Sequence, residues 1–363
     1  MGLNVKKNRP ADYAVWSCET MMRKYEADKL PPEEWFHYHQ GVFLSGVYKT
    51  YQHIKNEDYI TYIKTYVDRY VNEEGHVDGL HGLQMDDIQT GILLYPLIDK
   101  YPGPKYENAL KQLIGMFDDY PRCNNGGYWH KDHFPWQMWL DGLYMGGPIK
   151  AEYGRRYHKP EYIAECVNQI KLMRQVTRDE KTGLWYHAWD ESGQEEWADP
   201  HTLRSSEFWG RSIGWVPVAI MDIMDHMDQA SDDYNHLVEI VVDLLKSIAN
   251  YQSEDGRWYQ VVNKGGEAGN WLETSCSCLY VAALSKAVRL GILDEKYLAI
   301  AKKGFEGVIA SLKYVGDDLI VNNVCIGTGV MDYQGYCDRP TSENDLHGVG
   351  AFLIMCGEAE YVF

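Results

Sequence analysis

The chain has 363 residues, with 35 lysines and arginines against 53 aspartates and glutamates, which gives a formal charge of −18. Hydrophobic residues make up 45% and charged residues 24%, a mixture typical of globular proteins and too apolar for a disordered chain. The acidic composition excludes nucleic acid and anionic membranes as partners, because both bind basic surfaces.

The first residues, Met1 to Lys6, lack the apolar stretch of a signal peptide. No run approaches the roughly 18 apolar residues of a membrane-spanning helix. Eight cysteines are scattered along the chain without a CxxC pair, which is typical of free thiols in a reducing compartment. We therefore expect a cytoplasmic protein.

Apolar residues recur at intervals of three and four along most of the chain, which predicts twelve helices. In chain order they are 11–25, 41–53, 58–71, 87–101, 106–117, 139–153, 160–177, 214–227, 234–251, 278–290, 296–312 and 346–359. Long alternating strand patterns are missing, which argues against an α/β fold.

A loose internal repeat organises these helices. Six clusters of aromatic and polar residues begin at positions 35, 86, 139, 209, 271 and 345. Each lies just before a helix that is rich in glycine and small apolar residues. Each interval holds two helices, and short turns at 126–129, 183–186 and 256–259 predict small hairpins on one rim.

The repeat predicts an all-α fold, an (α/α)6 barrel of six helical hairpins that forms a single domain over residues 1–363. An open solenoid of helix pairs is the structural alternative. The concentration of tryptophan, histidine and aspartate at one end of every repeat favours the closed barrel.

The aromatic residues are 12 tryptophans, 28 tyrosines and only 8 phenylalanines. Tryptophan and tyrosine combine an apolar ring with a polar tip, which suits clefts that hold amphipathic ligands such as sugars. The composition therefore favours a carbohydrate site.

The first cluster with chemical potential contains two adjacent acids, Asp86 and Asp87, at a predicted helix start. One of them can cap the helix, while its neighbour, about 100° away on the helix, faces the cavity. The sequence leaves the division of roles between the two open.

The densest cluster surrounds Asp141, which shares a helix face with Met145 four residues later. Aromatic neighbours would desolvate Asp141 and raise its pKa, as a general acid requires. The helix start would lower the pKa, and a second carboxylate such as Asp86 would restore the rise. The structural alternative is a helix cap in an aromatic wall.

A third cluster combines His187 with Arg211 and Trp215, which lie four residues apart and should project together. A guanidinium beside indole rings can bind a substrate carboxylate while the sugar stacks. The alternative for Arg211 is an ion pair with an acid such as Glu207. The segment 338–348 is interpreted as helix capping, and no metal-binding or phosphate-binding motif is found, so we predict neither metal nor cofactor.

The segments 85–91, 139–145, 208–215 and 344–351 together resemble the unsaturated rhamnogalacturonyl hydrolases, glycoside hydrolase family 105. The resemblance runs in the right order over nearly the whole chain. It implies a bacterial α/α-barrel enzyme of pectin breakdown, which removes the 4,5-unsaturated uronic acid that a polysaccharide lyase leaves at a non-reducing end.

The resemblance also implies a mechanism: Asp141 protonates C4 of the double bond and then, as a carboxylate, activates the water that adds at C5. Asp86 would hold sugar or water and keep the pKa of Asp141 high, and Arg211 would bind the uronate carboxylate. The other positions that the resemblance assigns to the substrate pocket are Tyr38, His39, His130, Lys131, His133, Trp139, Met145, His187, Trp209 and Trp215. The expected partner is a small oligosaccharide, without metal or cofactor, bound by a monomer.

Two functional alternatives stay open. One is a conventional inverting glycosidase on the same barrel, and the other is a non-catalytic carbohydrate-binding protein. The sugar that follows the unsaturated uronate would contact rim loops, for which 151–156 and 328–339 are the candidates.

Overall fold

A computed structural model of the chain describes residues 9–363. The prediction for the segment Met1 to Lys6 lies outside these residues. Within them, no helix is both long and apolar enough to span a membrane, and the eight cysteines are free and buried.

The fold is built almost entirely from helices. They are α1 (Pro10–Lys24), α2 (Tyr38–Ile54), α3 (Glu57–Tyr70), α4 (Met85–Gln89), α5 (Leu94–Lys100), α6 (Pro104–Gly115), α7 (Asp141–Arg156), α8 (Pro160–Thr177), α9 (Gly210–Met224), α10 (Asp232–Ala249), α11 (Thr274–Arg289), α12 (Lys296–Ser311), α13 (Tyr333–Cys337) and α14 (Leu346–Ala359). Short 3-10 helices cover Ala27–Lys29, Thr90–Leu93 and Val262–Lys264.

Six inner elements form a closed ring, which confirms the predicted (α/α)6 barrel. Going round the ring, α2 contacts α4 and the 3-10 turn after it, α4 contacts α7, α7 contacts α9, α9 contacts α11, α11 contacts α14, and α14 returns to α2. The partners on the outside are α3, α6, α8, α10, α12 and α1. An open solenoid would lack the last contact, between α14 and α2.

The inner helices are apolar on nearly all sides because they lie between the axis and the outer layer. Every residue of α14 is buried. At the seam with α2, a side chain on Gly350 would come within 2.5 Å of the Val42 backbone, and one on Gly46 would come within 2.6 Å of Leu353. These two glycines let the first and last inner helices touch backbone to backbone.

A buried ion cluster fastens the same seam at the far end of the barrel. Glu358 on α14 is 3.0 Å from Lys49 on α2 and 2.8 Å from Arg289 on α11. Burial raises the pKa of Glu358, but the charges of Lys49, Lys286 and Arg289 outweigh it and hold this pKa at about 2.

We therefore expect Glu358→Gln to lower the free energy of unfolding by roughly 3 kcal/mol at pH 7, since each pKa unit of depression is worth about 1.4 kcal/mol. The folded pKa lies below the unfolded one, so this stability is present above about pH 4.5 and is lost as the pH falls toward 2. Urea unfolding at several pH values should show the variant and the natural chain converging in acid. Glu306→Gln on the exposed side of α12 is the control, and a pH-independent difference would contradict the prediction.

Within residues 9–363, eight short strands form four antiparallel pairs, in the order β1 with β2, β3 with β4, β5 with β6 and β7 with β8. They are β1 (Gln137–Trp139), β2 (Ala188–Asp190), β3 (Trp258–Tyr259), β4 (Leu272–Glu273), β5 (Lys313–Val315), β6 (Asp318–Ile320), β7 (Val324–Cys325) and β8 (Thr341–Ser342). The turns at 126–129 and 183–186 close through the bridges Arg122–Tyr128 and Arg178–Trp185. The turn at 256–259 closes through a hydrogen bond from the Ser253 N–H to the Arg257 carbonyl at 3.0 Å, and its strand β3 then pairs with the more distant β4.

The predicted helix 87–101 is broken into α4, a 3-10 turn at Thr90–Leu93, and α5. Pro96 favours the break, because it has no N–H to donate to the preceding turn and its ring crowds that turn, although α7 and α9 continue through Pro148 and Pro217. The inner helices α2, α9 and α11 begin three or four residues earlier than predicted. Their aromatic and polar clusters thus run directly into the first helical turn and lie at the rim.

Candidate active site

A cavity of about 290 Å³ opens where the inner helices begin. Most of the predicted site residues line it, together with three further side chains, Trp35, His37 and Phe134, and a loop at 327–329 that overlaps the candidate rim loop 328–339. The lining is Trp35, His37, Tyr38, His39, Asp86, His130, Lys131, Phe134, Trp139, Asp141, Met145, Trp209, Arg211, Gly327, Thr328 and Gly329.

Asp141 is the first residue of α7, and strand pairing places His187 beside it. Trp139 of β1 pairs with Ala188 of β2, and the Leu140 N–H donates to the His187 carbonyl at 3.0 Å. The side chain of Asp141 is 13% exposed, and its Oδ2 lies 3.2 Å from His187 Nε2. Oδ2 itself is inaccessible to solvent, so Oδ1 is the oxygen that can face a ligand.

The expectation that Asp141 has a raised pKa is wrong for the empty cavity. Burial does raise the pKa of Asp141, but its interaction with His187 and the nearby His130 and Arg211 outweigh burial and hold the pKa below its usual range. The aromatic sequence around Asp141 showed the desolvation, whereas His187 and Arg211 lie 46 and 70 residues further along the chain.

Asp86 faces the cavity in the middle of a basic cluster. Its Oδ2 is 2.6 Å from Lys131 Nζ, and its two oxygens lie 3.6 Å from His37 Nε2 and from His130 Nε2. Burial raises the pKa of Asp86, but Lys131, His130 and His37 outweigh it, so this pKa is far below the usual range. Asp86 is therefore a carboxylate that Lys131 largely neutralises.

Asp87 points away from the cavity and holds its wall in place. It accepts hydrogen bonds from Trp35 Nε1 and from the His81 N–H, both at 2.7 Å. Burial raises the pKa of Asp87 to about 7. The structure thus divides the roles that the sequence left open. Asp86 lines the cavity, and Asp87 holds Trp35 in position.

Arg211 lies on the first turn of α9, stacked on Trp209 with its guanidinium carbon 4.6 Å from the ring centre. It donates to the carbonyls of Cys325 and Ile326 at 2.5 and 2.9 Å. The alternative of an ion pair with Glu207 is wrong, because Glu207 pairs with Lys264 at 2.9 Å. With five N–H donors, the guanidinium can hold both carbonyls and still donate to a ligand.

The loop from Gly327 to Gly329 forms one side of the cavity. A side chain on Gly327 would meet His39 and Tyr38 at 3.8 to 3.9 Å, so both rings face this loop. Arg339 fastens the loop by donating to Thr328 Oγ1 at 3.1 Å and to the Gly327 carbonyl. The candidate rim loop 328–339 thus begins at the cavity, where Thr328 and Gly329 line it.

The other expected rim segment, 151–156, lies elsewhere. Glu152 and Arg156 belong to the C-terminal half of α7 and line a separate cavity of about 270 Å³ near the opposite end of the barrel axis. That expectation is wrong because α7 runs down the axis, away from the rim. Met145 lines both cavities and separates them.

Three predicted pocket residues do not line the cavity. His187 is 0% exposed and lies behind Asp141, 3.2 Å from its Oδ2. His133 is 55% exposed and contacts Asp132 at 3.0 Å. Trp215 is buried and stacks on Tyr144 with ring centres 4.5 Å apart. The four-residue spacing from Arg211 to Trp215 placed both on one helix face, but the second turn of α9 is already below the cavity floor.

We expect Trp215→Phe to lower the free energy of unfolding by about 1–2 kcal/mol, because it leaves a gap against Tyr144. Substrate KM should stay within about twofold, since the indole does not reach the cavity. Trp209→Phe is the matched variant on the same helix start, and it should change the kinetics more than the stability. A larger change in KM for Trp215→Phe would contradict this placement.

One group in residues 9–363 brings metal-ligating atoms together, with His39, Asp345 and His347 atoms within 4.8 Å of one another. His347 Nδ1 already lies 2.6 Å from Asp345 Oδ1, and its Nε2 contacts the Cys325 carbonyl at 3.0 Å. A metal would have to replace the contact between His347 and Asp345.

Comparisons with known proteins agree with this architecture. Residues 13–363 match the family described as Glycosyl Hydrolase Family 88. The unsaturated rhamnogalacturonyl hydrolase YesR of Bacillus subtilis (strain 168) is 27% identical over 326 residues, 88% of each chain. Protein Atu3128 of Agrobacterium fabrum is 30% identical over 230 residues, which cover 59% of this chain and 98% of that protein. The solved structure of a family 105 glycoside hydrolase from C. acetobutylicum ATCC 824 is 30% identical, with a TM-score of 0.92 and coverage of 96% and 99%.

Proposed function

The chain belongs to glycosyl hydrolase family 88, and from this membership we propose that it removes 4,5-unsaturated uronic acid from the non-reducing end of lyase-generated oligosaccharides. The unsaturated rhamnogalacturonan disaccharide is the proposed substrate, in keeping with the name of the Bacillus relative. The observation that carries the proposal is one cavity that contains a carboxyl group, Asp141, a guanidinium, Arg211, and indole walls.

Binding would place the uronate carboxylate against Arg211 and the ring between Trp139 and Trp209. His130 and Phe134 already stack on the two sides of Trp139, with ring centres 4.6 and 5.0 Å away, so its indole is held rigidly. A rigid aromatic wall loses little entropy when a sugar stacks on it.

Substrate binding would also give Asp141 its proton. In the empty cavity the basic neighbours hold the pKa of Asp141 low. The substrate carboxylate cancels the charge of Arg211 and displaces water, and both effects favour the protonated acid. Asp141 would thus gain its proton when substrate binds, whereas the sequence predicted a pKa that is raised at all times.

Asp141 would then transfer this proton to C4 of the C4=C5 double bond, leaving an oxocarbenium centre at C5. Water adds at C5 and returns a proton to the Asp141 carboxylate. The C5 hemiketal opens to a ketone, the exposed C1 hemiacetal releases the aglycone alcohol, and one water is consumed overall. Asp86, fixed by Lys131 at 2.6 Å, would accept a hydrogen bond from the sugar or the water.

The test is a product assay on unsaturated disaccharides from several polysaccharide lyases. Loss of the ultraviolet absorption of the enol ether is the expected result, and in D2O deuterium should appear at C4 in the first turnovers. Cleavage of a saturated glycoside, with release of an ordinary reducing sugar and no deuterium at carbon, would support a conventional inverting glycosidase instead. Binding without product on every substrate would support a carbohydrate-binding protein.

We further propose that residues 1–363 act as one catalytic domain, as a monomer in the cytoplasm. The eight buried free thiols support a reducing compartment. Light scattering coupled to gel filtration measures the oligomeric state.

A further inference from the structure

Asp141, His187 and Tyr336 form a chain of three side chains that leads away from the cavity. Tyr336, on the short helix α13, is completely buried, and its hydroxyl is 2.6 Å from His187 Nδ1. The other ring nitrogen of His187, Nε2, is 3.2 Å from Asp141 Oδ2. His187 is itself 0% exposed, so solvent cannot supply either ring nitrogen with a partner.

The protonation of this imidazole is decided by its two neighbours. An uncharged imidazole carries one N–H and one lone pair on its two nitrogens. A carboxylate beside Nε2 needs the N–H there, because two acceptors would repel each other. Nδ1 then carries the lone pair and needs a donor, and the Tyr336 hydroxyl is in place to give its hydrogen.

We propose that Tyr336 is a positioning residue for the reaction: its hydroxyl donates to His187 Nδ1 and thereby keeps the imidazole proton on Nε2, facing Asp141. The inference rests on the proposed role of Asp141. Because Oδ2 is buried against His187 Nε2 at 3.2 Å, the proton that reaches C4 would travel on Oδ1.

The surroundings hold Tyr336 in this position. Its carbonyl accepts a hydrogen bond from Gln260 Nε2 at 3.2 Å, and the Oε1 of the same Gln260 accepts from Trp209 Nε1 at 3.1 Å. The Tyr336 ring also stacks on Trp209 with centres 5.9 Å apart. Burial raises the pKa of Tyr336, so the phenol keeps the hydrogen that it donates.

Other charged and titratable groups also face this chain. His130 and Arg211 act on Asp141, Asp141 and Arg211 act on Tyr38, and Glu207 acts on Tyr336. These groups remain when only the Tyr336 hydroxyl is removed, so the variant Tyr336→Phe isolates the hydrogen bond and keeps the aromatic stack.

The direct test is nitrogen NMR of the His187 ring in the complete protein, assigned with His187→Gln. We expect a protonated Nε2 and an unprotonated Nδ1 in the natural chain, and a mixture of the two tautomers in Tyr336→Phe. Tyr333→Phe is the matched control, since it removes a hydroxyl from the same helix that donates to the Ala268 carbonyl instead. A doubly protonated ring, or the same single tautomer in Tyr336→Phe, would overturn the proposal.

The kinetic test uses the pH profile. Without a proton fixed on His187 Nε2, the Asp141 carboxylate is less stabilised. The limb of the pH–rate profile that reports the ionisation of Asp141 should therefore move upward by about one pH unit. We expect kcat to fall about tenfold, the usual effect of losing one buried hydrogen bond, with KM within about twofold. In a His187→Gln background, Tyr336→Phe should have no further effect on either quantity.

The two proposals fail in distinguishable ways. Absence of turnover by the natural chain on every unsaturated disaccharide would refute the proposed function, while the NMR result would still decide the tautomer. Normal turnover with identical pH profiles for Tyr336→Phe and the natural chain would refute only the role of Tyr336.

Discussion

Asp141→Asn is expected to lower kcat/KM on an unsaturated disaccharide at least ~100-fold, the scale typical for loss of a general acid. An amide can neither deliver a proton to C4 nor take one from water. The change removes no intramolecular partner that the fold needs, because Asp141 Oδ2 contacts only the edge of His187 at 3.2 Å. Stability should therefore be unchanged or slightly improved, since a desolvated charge disappears.

Initial rates from the loss of enol-ether absorption, together with thermal melting, measure both effects. Asp338→Asn is the matched control: it lies on the same rim, is exposed, and accepts from Gln334. Unchanged turnover in Asp141→Asn would remove this carboxyl group from the mechanism. Equal loss in the Asp338 control would point to general damage at the rim.

Arg211→Gln is expected to lower kcat/KM about 100-fold or more, because it removes a charge-assisted contact to the substrate carboxylate in a buried site. The same change would also deprive the Cys325 and Ile326 carbonyls of their donors. These two causes can be separated with a substrate whose uronate is esterified. The natural chain should strongly prefer the free acid, and the variant should lose that preference.

The ester comparison works as a double-mutant cycle in which one partner is the ligand. A variant that is impaired equally on acid and ester would show that Arg211 acts only by holding the 325–326 backbone. Arg204→Gln, which removes a guanidinium that donates to the Val176 carbonyl away from the cavity, should leave both rates unchanged.

The barrel could be predicted from the sequence because each helix is marked by residues within or beside it. Helices 160–177 and 346–359 are correct to the residue, since periodicity and a flanking proline or polar cap mark their ends. The break in 87–101 was visible in principle as Pro96. Sequence spacing cannot show which short strands pair, because β3 and β4 are joined by an irregular loop.

The cavity was predicted less completely, and the reason is physical. Asp141, Asp86 and Arg211 stand in distinctive local clusters, so local sequence located them. The charge state of Asp141 depends on His187, His130 and Arg211, which come from three different repeats. Nearby aromatic residues in the sequence can indicate that a carboxyl group is desolvated. The charges that surround it in the cavity are known only once the folded barrel brings distant residues together.

The contact between α2 and α14 has a consequence for biosynthesis. The first inner helix leaves the ribosome roughly 300 residues before its final neighbour, so one of its apolar sides stays uncovered until that neighbour has been made. Pairing of such distant segments is slow because a very long loop has to be closed first. A nascent chain that lacks residues 346–359 therefore exposes the apolar sides of α2 and α11, and the ring can close only after those residues have left the ribosome.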